Sequence, residues 1–456
     1  CIFCKVCHTD FKNNFSENVP ERTRKGKFNM VRKVYRDAFP TILSYTMSGL
    51  YSVIDGIFVG KATGDTGLAA INIAWPVPAV ITALGIGIGA GGSVLYSNYK
   101  GKGDEDSCRK ILNNTLICLL LAGILILILF GVTETRLLTL LGAKGGVFRQ
   151  AEGYVGIITA GAVFQVAGTG ILPILRNQGL SIEAMLCMIA GFITNIVVNY
   201  LLMFQLEMGI RGAAIGTVMA QILVLVSSLL ILRKTVQIHA YLNKRIVFET
   251  VRTGITAFGI SLAPTITLIF TNFQCLRYGG DAAVACYAVI SYIVFPVQYL
   301  LTGIGDGVQP LLSYYNGAGR KKEVDQIKKI AYISAIVLGI CATAGAMVAS
   351  VYLAKGFGLS EKAESYFGKG MRISACAFVF IGVSRFNLSS LNATMHTRAA
   401  TSLTYIESLV ISPLSLFLLP AFLGINGIWV SLPITAAMMN LLFLLFRAGI
   451  TENKRT

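Results

Sequence analysis

Long uncharged apolar runs alternate with short charged segments along the whole chain. Runs free of Asp, Glu, Lys and Arg cover 66–99, 111–133, 153–175, 184–206, 212–232, 253–276, 282–305, 330–354 and 408–446. Each is long enough for a membrane-spanning helix, which takes about 20 residues. Two exceed one crossing. Run 66–99 is expected to extend past the bilayer, with kinks at Pro76 and Pro78, and run 408–446 divides at the turn signal Leu423-Gly424-Ile425-Asn426-Gly427. Three further spans each carry one interior charge: 38–60 with Asp55, 282–319 with Asp306 and 373–397 with Arg385, while Glu407 falls in the eleventh span. The pattern predicts twelve helices, near 38–60, 67–98, 111–133, 152–175, 182–206, 212–232, 253–276, 282–316, 328–354, 370–394, 400–420 and 425–446.

Composition sharpens this picture. Only 13% of the 456 residues are charged and 54% are apolar, with a mean hydropathy of +0.68. Soluble globular domains carry roughly 25% charged residues, so a disordered chain, a disulfide scaffold and an ordinary cytosolic enzyme fit poorly. The chain reads as an all-α polytopic membrane protein. Lys and Arg orient it: the two terminal tails and the loops after even spans hold 28 of the 39, and the loops after odd spans hold 10. The asymmetry predicts a plasma-membrane protein with both termini cytoplasmic. The net charge of +17 follows this orientation and anionic lipid, and no nucleic-acid partner is implied.

Residues 1–30 read as a disordered cytoplasmic leader, too polar for the core of a signal peptide. Within it, Cys4-Lys5-Val6-Cys7-His8 matches a haem-attachment pattern, and Cys1, Cys4, Cys7 and His8 form a zinc-ligand set. Haem attachment needs the external compartment, whereas the charge rule places this tail inside. The other seven cysteines are scattered singly and read as small core residues.

The chain repeats itself. GIGIGAGGSVLYSNYKGKG at 85–103 aligns with LTGIGDGVQPLLSYYNGAG at 301–319, so Gly87, Gly89, Gly91, Leu95, Ser97, Tyr99, Gly101 and Gly103 fall on identical residues 216 further on. Gly64-Asp65 falls on Gly280-Asp281 at the same shift, and Gly209-Ile210-x-Gly212 on Gly424-Ile425-x-Gly427 at 215. Pro40-Thr41-Ile42 recurs as Pro264-Thr265-Ile266, eight residues closer to its landmark. Six helices per half make the halves parallel repeats about an axis along the membrane normal. The expected organisation is an N-terminal lobe at 31–235, a linker at 236–251, a C-terminal lobe at 252–447 and a tail at 448–456. The repeated glycines serve close helix approach. The nucleotide-loop look of GIGIGAGG fails because no strand precedes it.

Intramembrane charge marks function by default, since an Asp at mid-bilayer costs roughly 2.5–3.5 kcal/mol. Asp55 lies six residues before Lys61, about 9 Å below the outer end of its helix. Asn195 and Asn199 share one face of the fifth helix, about 18 and 12 Å below its outer end, and Thr217 lies about 9 Å down the sixth. Four oxygen-bearing side chains thus share one outer layer. A hard cation such as Na⁺ takes such ligands. A lone buried carboxylate equally carries a proton, and a purely structural hydrogen-bond network is the plain alternative.

Several strings carry a family resemblance. Tyr51-Ser-Val-Ile-Asp55-Gly-Ile-Phe-Val-Gly60, Leu175-Arg176-Asn177-Gln178-Gly179 with Ala184-Met185, Met208-Gly209-Ile210-Arg211-Gly212-Ala213-Ala214-Ile215, and Gln309-Pro310 with Tyr315-Asn316-Gly317-Ala318 together resemble the multidrug and toxic-compound extrusion (MATE) family over about 31–447. The resemblance implies twelve helices in two lobes. It implies antiport of organic, often cationic, compounds against Na⁺ or H⁺, with Asp55, Asn195, Asn199 and Thr217 as the coupling-ion site. The chain departs from the family in two ways: many members have Asp where Asn199 stands, and the seventh span, 253–276, carries no acidic residue.

The substrate cavity is expected to be lined by Tyr51, Phe164, Gln165, Tyr299 and Gln309, because aromatic faces attract organic cations. Asp306, Arg385 and Glu407 fall in the cytoplasmic halves of their helices. One carboxylate is expected to pair with Arg385, leaving the other to meet substrate or a proton. Neither an ATP-binding loop nor an enzymatic cluster appears in the spans, so the expected protein is a monomeric, non-enzymatic transporter of small organic molecules with no cofactor beyond its coupling ion. A lipid-linked sugar flippase of the same broad superfamily is the alternative. Arg385 as the only basic residue deep in a span argues against it.

Overall fold

The structure, a computed structural model, describes residues 24–233, 242–356 and 361–452. Cys1, Cys4, Cys7 and His8 lie outside the described residues, as does 236–241 of the expected linker, while 24–30 begin the first helix.

Among the described residues, ten single helices are long and apolar enough to cross a membrane, and two bent pairs bring the number to twelve if each pair is one span. They are α1 (Asn29–Gly64), α2 (Thr66–Gly101), α3 (Glu105–Leu140), α4 (Gly145–Ala160 with Ala162–Asn177), α5 (Ser181–Gln205), α6 (Ile210–Leu232), α7 (Lys244–Gly280), α8 (Ala282–Gly317), α9 (Lys321–Val348), α10 (Ala363–Ala375 with Ala377–Ala393), α11 (Thr397–Leu423) and α12 (Ile425–Phe446). A lipid-facing segment must satisfy its backbone internally, which is why each apolar run becomes a helix. The expected unbroken fourth and tenth spans are corrected to pairs bent by 59° and 41°. At the first bend sits Gly161, where a Cβ would collide with the Val218 side chain of α6.

The duplication is written in the backbone. Gly64 adopts φ 62°, ψ −158° between α1 and α2, and Gly280 adopts φ 64°, ψ −158° between α7 and α8. Gly209 and Gly424 form a second matched pair, at φ 56° and 58°. A side chain disfavours this left-handed region, so glycine is required at these joints. The Pro-Thr-Ile recurrence does not survive: Pro40 lies 24 residues before the Gly64 joint and Pro264 16 before Gly280, so the two prolines sit at different depths.

The lobes are joined by a reciprocal exchange. We call the end of the bundle where α1 begins the near end. There Lys33 Nζ of α1 donates to Tyr315 OH of α8 at 3.2 Å. Val34 and Ala38 of α1 belong to a core cluster whose other buried members, from Val308 to Phe386 and Ala393, lie in the C-terminal lobe. A Cβ on Gly307 would lie 2.8 Å from Ala38 Cα, and one on Gly303 2.9 Å from Ile42 Cα. The mirror contact joins α2 to α7, where Cβ atoms on Gly87 and Gly91 would press on Phe258 and on Thr250 and Gly254. Of the repeated glycines, Gly87, Gly91 and Gly101, with Gly303, Gly307 and Gly317, form the seam between lobes, whereas Gly89 packs on Gly170 and Gly305 on Ser389 within their own lobes.

Candidate functional site

Two helices place i, i+4 pairs face to face. Asp55 and Tyr51 share a face of α1, and Asn199 and Asn195 share a face of α5. Asn199 Nδ2 donates to Asp55 Oδ1 at 2.7 Å and to Asn195 Oδ1 at 2.8 Å, and Asn195 Nδ2 donates to Tyr51 OH at 3.0 Å. The result is a two-rung ladder between parallel helices. Thr217 of α6 closes it, 3.3 Å from Asn195 Nδ2 and 3.4 Å from Tyr51 OH. Thus Asp55, Asn195, Asn199 and Thr217 meet in one cluster. Tyr51, expected at the substrate cavity, stands in this cluster instead, with its ring stacked on Phe192 at 5.4 Å.

Two features make the cluster chemically demanding. Among the described residues no basic side chain pairs with Asp55. Asn199 Oδ1 is buried without a hydrogen-bond partner. Gly216 permits this: a Cβ there would strike Asn199 Oδ1. Directly after Asn199, the last turn of α5, Leu201–Gln205, is π-helical, an irregularity that recurs at functional sites.

A second polar assembly lies between the lobes at the near end. A small chamber of about 40 Å³ is lined by Tyr45, Arg176, Asn177, Asp306, Gln309 and Asn392 among others. Tyr45 OH donates to Asp306 Oδ2 at 2.5 Å. Asn177 Nδ2 donates to Gln309 Oε1 at 3.0 Å, and Gln309 Nε2 returns a bond to Asn177 Oδ1 at 3.2 Å. Both links cross the lobe interface. Ser97 Oγ adds a 2.6 Å bond to Asn177 Oδ1.

The remaining expected residues are dispersed. Gln165 donates to Thr82 Oγ1 at 2.9 Å, beside the exposed Phe164. Neither lines the chamber. Tyr299 packs on Tyr45, with ring centroids 6.4 Å apart. Glu407, expected at the cavity, lies outside this chamber: Arg385 Nη2 and Nη1 donate to Glu407 Oε1 and Oε2 at 3.1 and 3.4 Å. The two charges cancel with each side chain only 10% exposed, so Asp306 is the carboxylate left to the interface. The expectation that Arg385 is the only deep basic residue is also corrected. Arg176, read as part of a loop, occupies the last turn of α4 and is 5% exposed.

Tyr45 and Asn392 were not singled out by sequence reasoning, and Arg176 entered only within the string at 175–179 that carries the family resemblance. Arg176 and Asn392 stand 216 residues apart, so the repeat register was the available signal. Nothing local marked Tyr45.

The MatE family model matches residues 40–201 and 256–417, two copies offset by 216. Multidrug export protein MepA of Staphylococcus saprophyticus is 23% identical over 444 residues, covering 94% of this chain and 96% of that protein. The Staphylococcus aureus protein of the same name is 22% identical, covering 88% and 90%. Among solved structures, a MOP superfamily transporter from Pyrococcus furiosus superposes with a TM-score of 0.86 at 23% identity, covering 96% of this chain and all of that one.

Proposed function

The chain belongs to the MatE family of multi-pass membrane transporters, and from that premise we propose that it exports drugs or other small organic compounds by antiport against Na⁺ or H⁺. The names of its MepA relatives support drug export. The observation that carries ion coupling is the Asp55 cluster: a carboxylate without a basic partner beside the buried, unpartnered Asn199 oxygen. A carboxylate in that setting calls for a cation. Na⁺ would take oxygens of Asp55, Asn199, Thr217 and Tyr51; a proton would neutralise Asp55 directly.

Lys and Arg asymmetry supports a cytoplasmic near end, in the plasma membrane. The close α1–α8 and α2–α7 contacts toward that end support a state closed to the cytoplasm. Parting of α1 from α8 and of α2 from α7 would open it, which is rocking of two lobes about a central site. One charge moving down 100 mV supplies about 2.3 kcal/mol and each tenfold ion gradient about 1.4. Together these sustain a substrate gradient of several hundredfold at one-to-one exchange, if substrate carries no net charge across.

The test is dye efflux from proteoliposomes with an imposed Na⁺ or H⁺ gradient. Uphill efflux in the wild type that is lost in Asp55→Asn establishes antiport, and the effective gradient names the ion. Gradient-driven efflux at full rate in Asp55→Asn rejects the site.

A further inference from the structure

At the near end of the C-terminal lobe a cavity of about 630 Å³ opens among the start of α7, the turn between α10 and α11, the last turns of α2 and the end of α12. Arg252 of α7, Arg398 of α11 and His396 of the turn line it, with Tyr99 of α2 and Phe446 of α12. Lys102 Nζ stands over the Tyr99 ring, 4.6 Å from its centroid. Glu249, the one carboxylate in that lining, pairs with Arg245 at 3.3 Å, and among the described residues neither Arg252 nor Arg398 has a carboxylate within ion-pair distance. The cavity also receives the N-terminus of α11, since Thr397, Arg398 and Ala399 border it. His396 gives that terminus no side-chain cap, and its first turn holds no acid. The positive helix end therefore lacks a negative partner.

The N-terminal lobe balances the equivalent place internally. Shifted back by 216, Arg252, Thr253 and Ala399 fall on Arg36, Asp37 and Glu183. Arg36 Nε lies 3.2 Å from Asp37 Oδ1, and Glu183 puts a carboxylate in the first turn of α5. The C-terminal copies of both acids are neutral, and Arg398 stands where α5 has Ile182. Glu249 replaces Lys33 but is matched by Arg245. Around the open cavity two carboxylates are thus missing and one guanidinium is added.

We propose that this cavity binds the phosphate of an anionic membrane lipid, with Arg252, Arg398 and the first-turn amides of α11 as donors. Guanidinium groups and a helix N-terminus both match phosphate oxygens. The surroundings select a lipid over a soluble phosphate. The cavity lies at the ends of the spans, and the adjoining turns expose Phe248, Val251 and Ile255 on α7 and Leu441, Leu445 and Phe446 on α12. These offer acyl chains an apolar bed beside a basic pocket, the arrangement that recognises lipid headgroups. The inference goes beyond export and does not depend on which compound or ion is moved. Tyr99 belongs to the opposite lobe, so a headgroup held here spans the α2–α7 seam and would favour the arrangement in which those helices touch.

The test is native mass spectrometry of the purified, delipidated full chain, titrated in detergent with dioleoylphosphatidylglycerol or dioleoylphosphatidylcholine. Phosphatidylglycerol is expected to show one binding step about tenfold tighter than any made by phosphatidylcholine, a ratio that corresponds to about 1.4 kcal/mol. Arg252→Gln combined with Arg398→Gln should abolish that preference. Arg36→Gln, at the internally balanced place, should leave it intact. Gel filtration checks each variant first. If the double variant is not monodisperse, Ala399→Glu takes its place: it restores the acid of the N-terminal copy, and the same loss is expected. Equal affinity for the two lipids overturns the site, as does a preference that survives these changes or one that Arg36→Gln also removes. Displacement of the lipid by inorganic phosphate at the same concentration overturns the lipid assignment and gives the cavity to a soluble phosphate.

Discussion

The two lobes share a backbone and differ in what they do with charge. In the N-terminal lobe the rungs between α1 and α5 are Asp55–Asn199 and Tyr51–Asn195. At a shift of 216 the same rungs fall on Thr271 with Ser415 and Thr267 with Ile411. There Thr267 Oγ1 meets the neighbouring Ser412 Oγ at 3.2 Å, a neutral hydroxyl pair that binds the helices and asks for no ion. The C-terminal lobe instead has its own buried charges, Arg385 and Glu407, and neutralises them internally. Their N-terminal counterparts are Thr169 and Gly191. Duplication preserved helix geometry because each glycine joint and seam contact is needed in both copies. It left side chains inside each lobe free to diverge, so the α1–α5 ladder holds a carboxylate where the equivalent C-terminal rungs are neutral, while Arg385 and Glu407 close an ion pair with no N-terminal counterpart.

Substitutions can break this contrast. The largest effect should come from Asp55→Asn: complete loss of ion-driven efflux in proteoliposomes, against near-normal efflux for Thr271→Val at the equivalent position. Comparable losses at both positions would mean that the lobes do not divide the labour. Next, Glu407→Gln strands the Arg385 charge and should cost about 3–5 kcal/mol of stability, read as a large drop in melting temperature in detergent. The double change Arg385→Met with Glu407→Leu should recover most of it; no recovery would assign this pair a role beyond mutual neutralisation.

Smaller effects test the likeness rather than the difference. Gly91→Val and Gly307→Val place side chains against α7 and α1 respectively, and each should cost about 1–3 kcal/mol through overpacking. Equal melting shifts would show that the seam is symmetric, and a shift in one alone that it is not. The smallest effect concerns a cap. Asp104 accepts from Ser107 Oγ at 2.6 Å and from Ser107 N at 3.0 Å at the start of α3, and those bonds hold its carboxyl below the usual range. Its counterpart Arg320 offers no acceptor. Asp104→Ala should lower stability slightly at neutral pH, and Arg320→Ala should not. Because the folded state favours the ionised form, the Asp104 contribution is present above about pH 4 and fades as acid protonates it. An Asp104→Ala deficit that grows on acidification would contradict the cap.

The Asp55 cluster was largely legible because its spacing is local. Asn195 and Asn199 lie four apart, as do Tyr51 and Asp55, and helical geometry puts each pair on one face at a computable depth. What remained hidden was which partner each face meets. Tyr51 was assigned to a cavity because aromatic character says nothing about helix rotation. Glu407 was assigned there because the choice between Asp306 and Glu407 as partner of Arg385 depends on packing alone. Arg176 was missed because a charge one residue beyond an uncharged run looks like a loop unless the last helical turn is known to be buried.

The sequence by itself determined the number of spans, the two-lobe duplication and the glycine joints. In a bilayer each segment must satisfy its own backbone, so hydropathy and glycine position carry that information locally. Only the tertiary structure decided that α1 and α7 each pack into the opposite lobe, that Arg385 closes on Glu407, and that Arg176 and Asp306 meet at Tyr45. These outcomes depend on the rotation and depth of helices distant in sequence. Those are set by the summed packing of many side chains, which no stretch of the chain records alone.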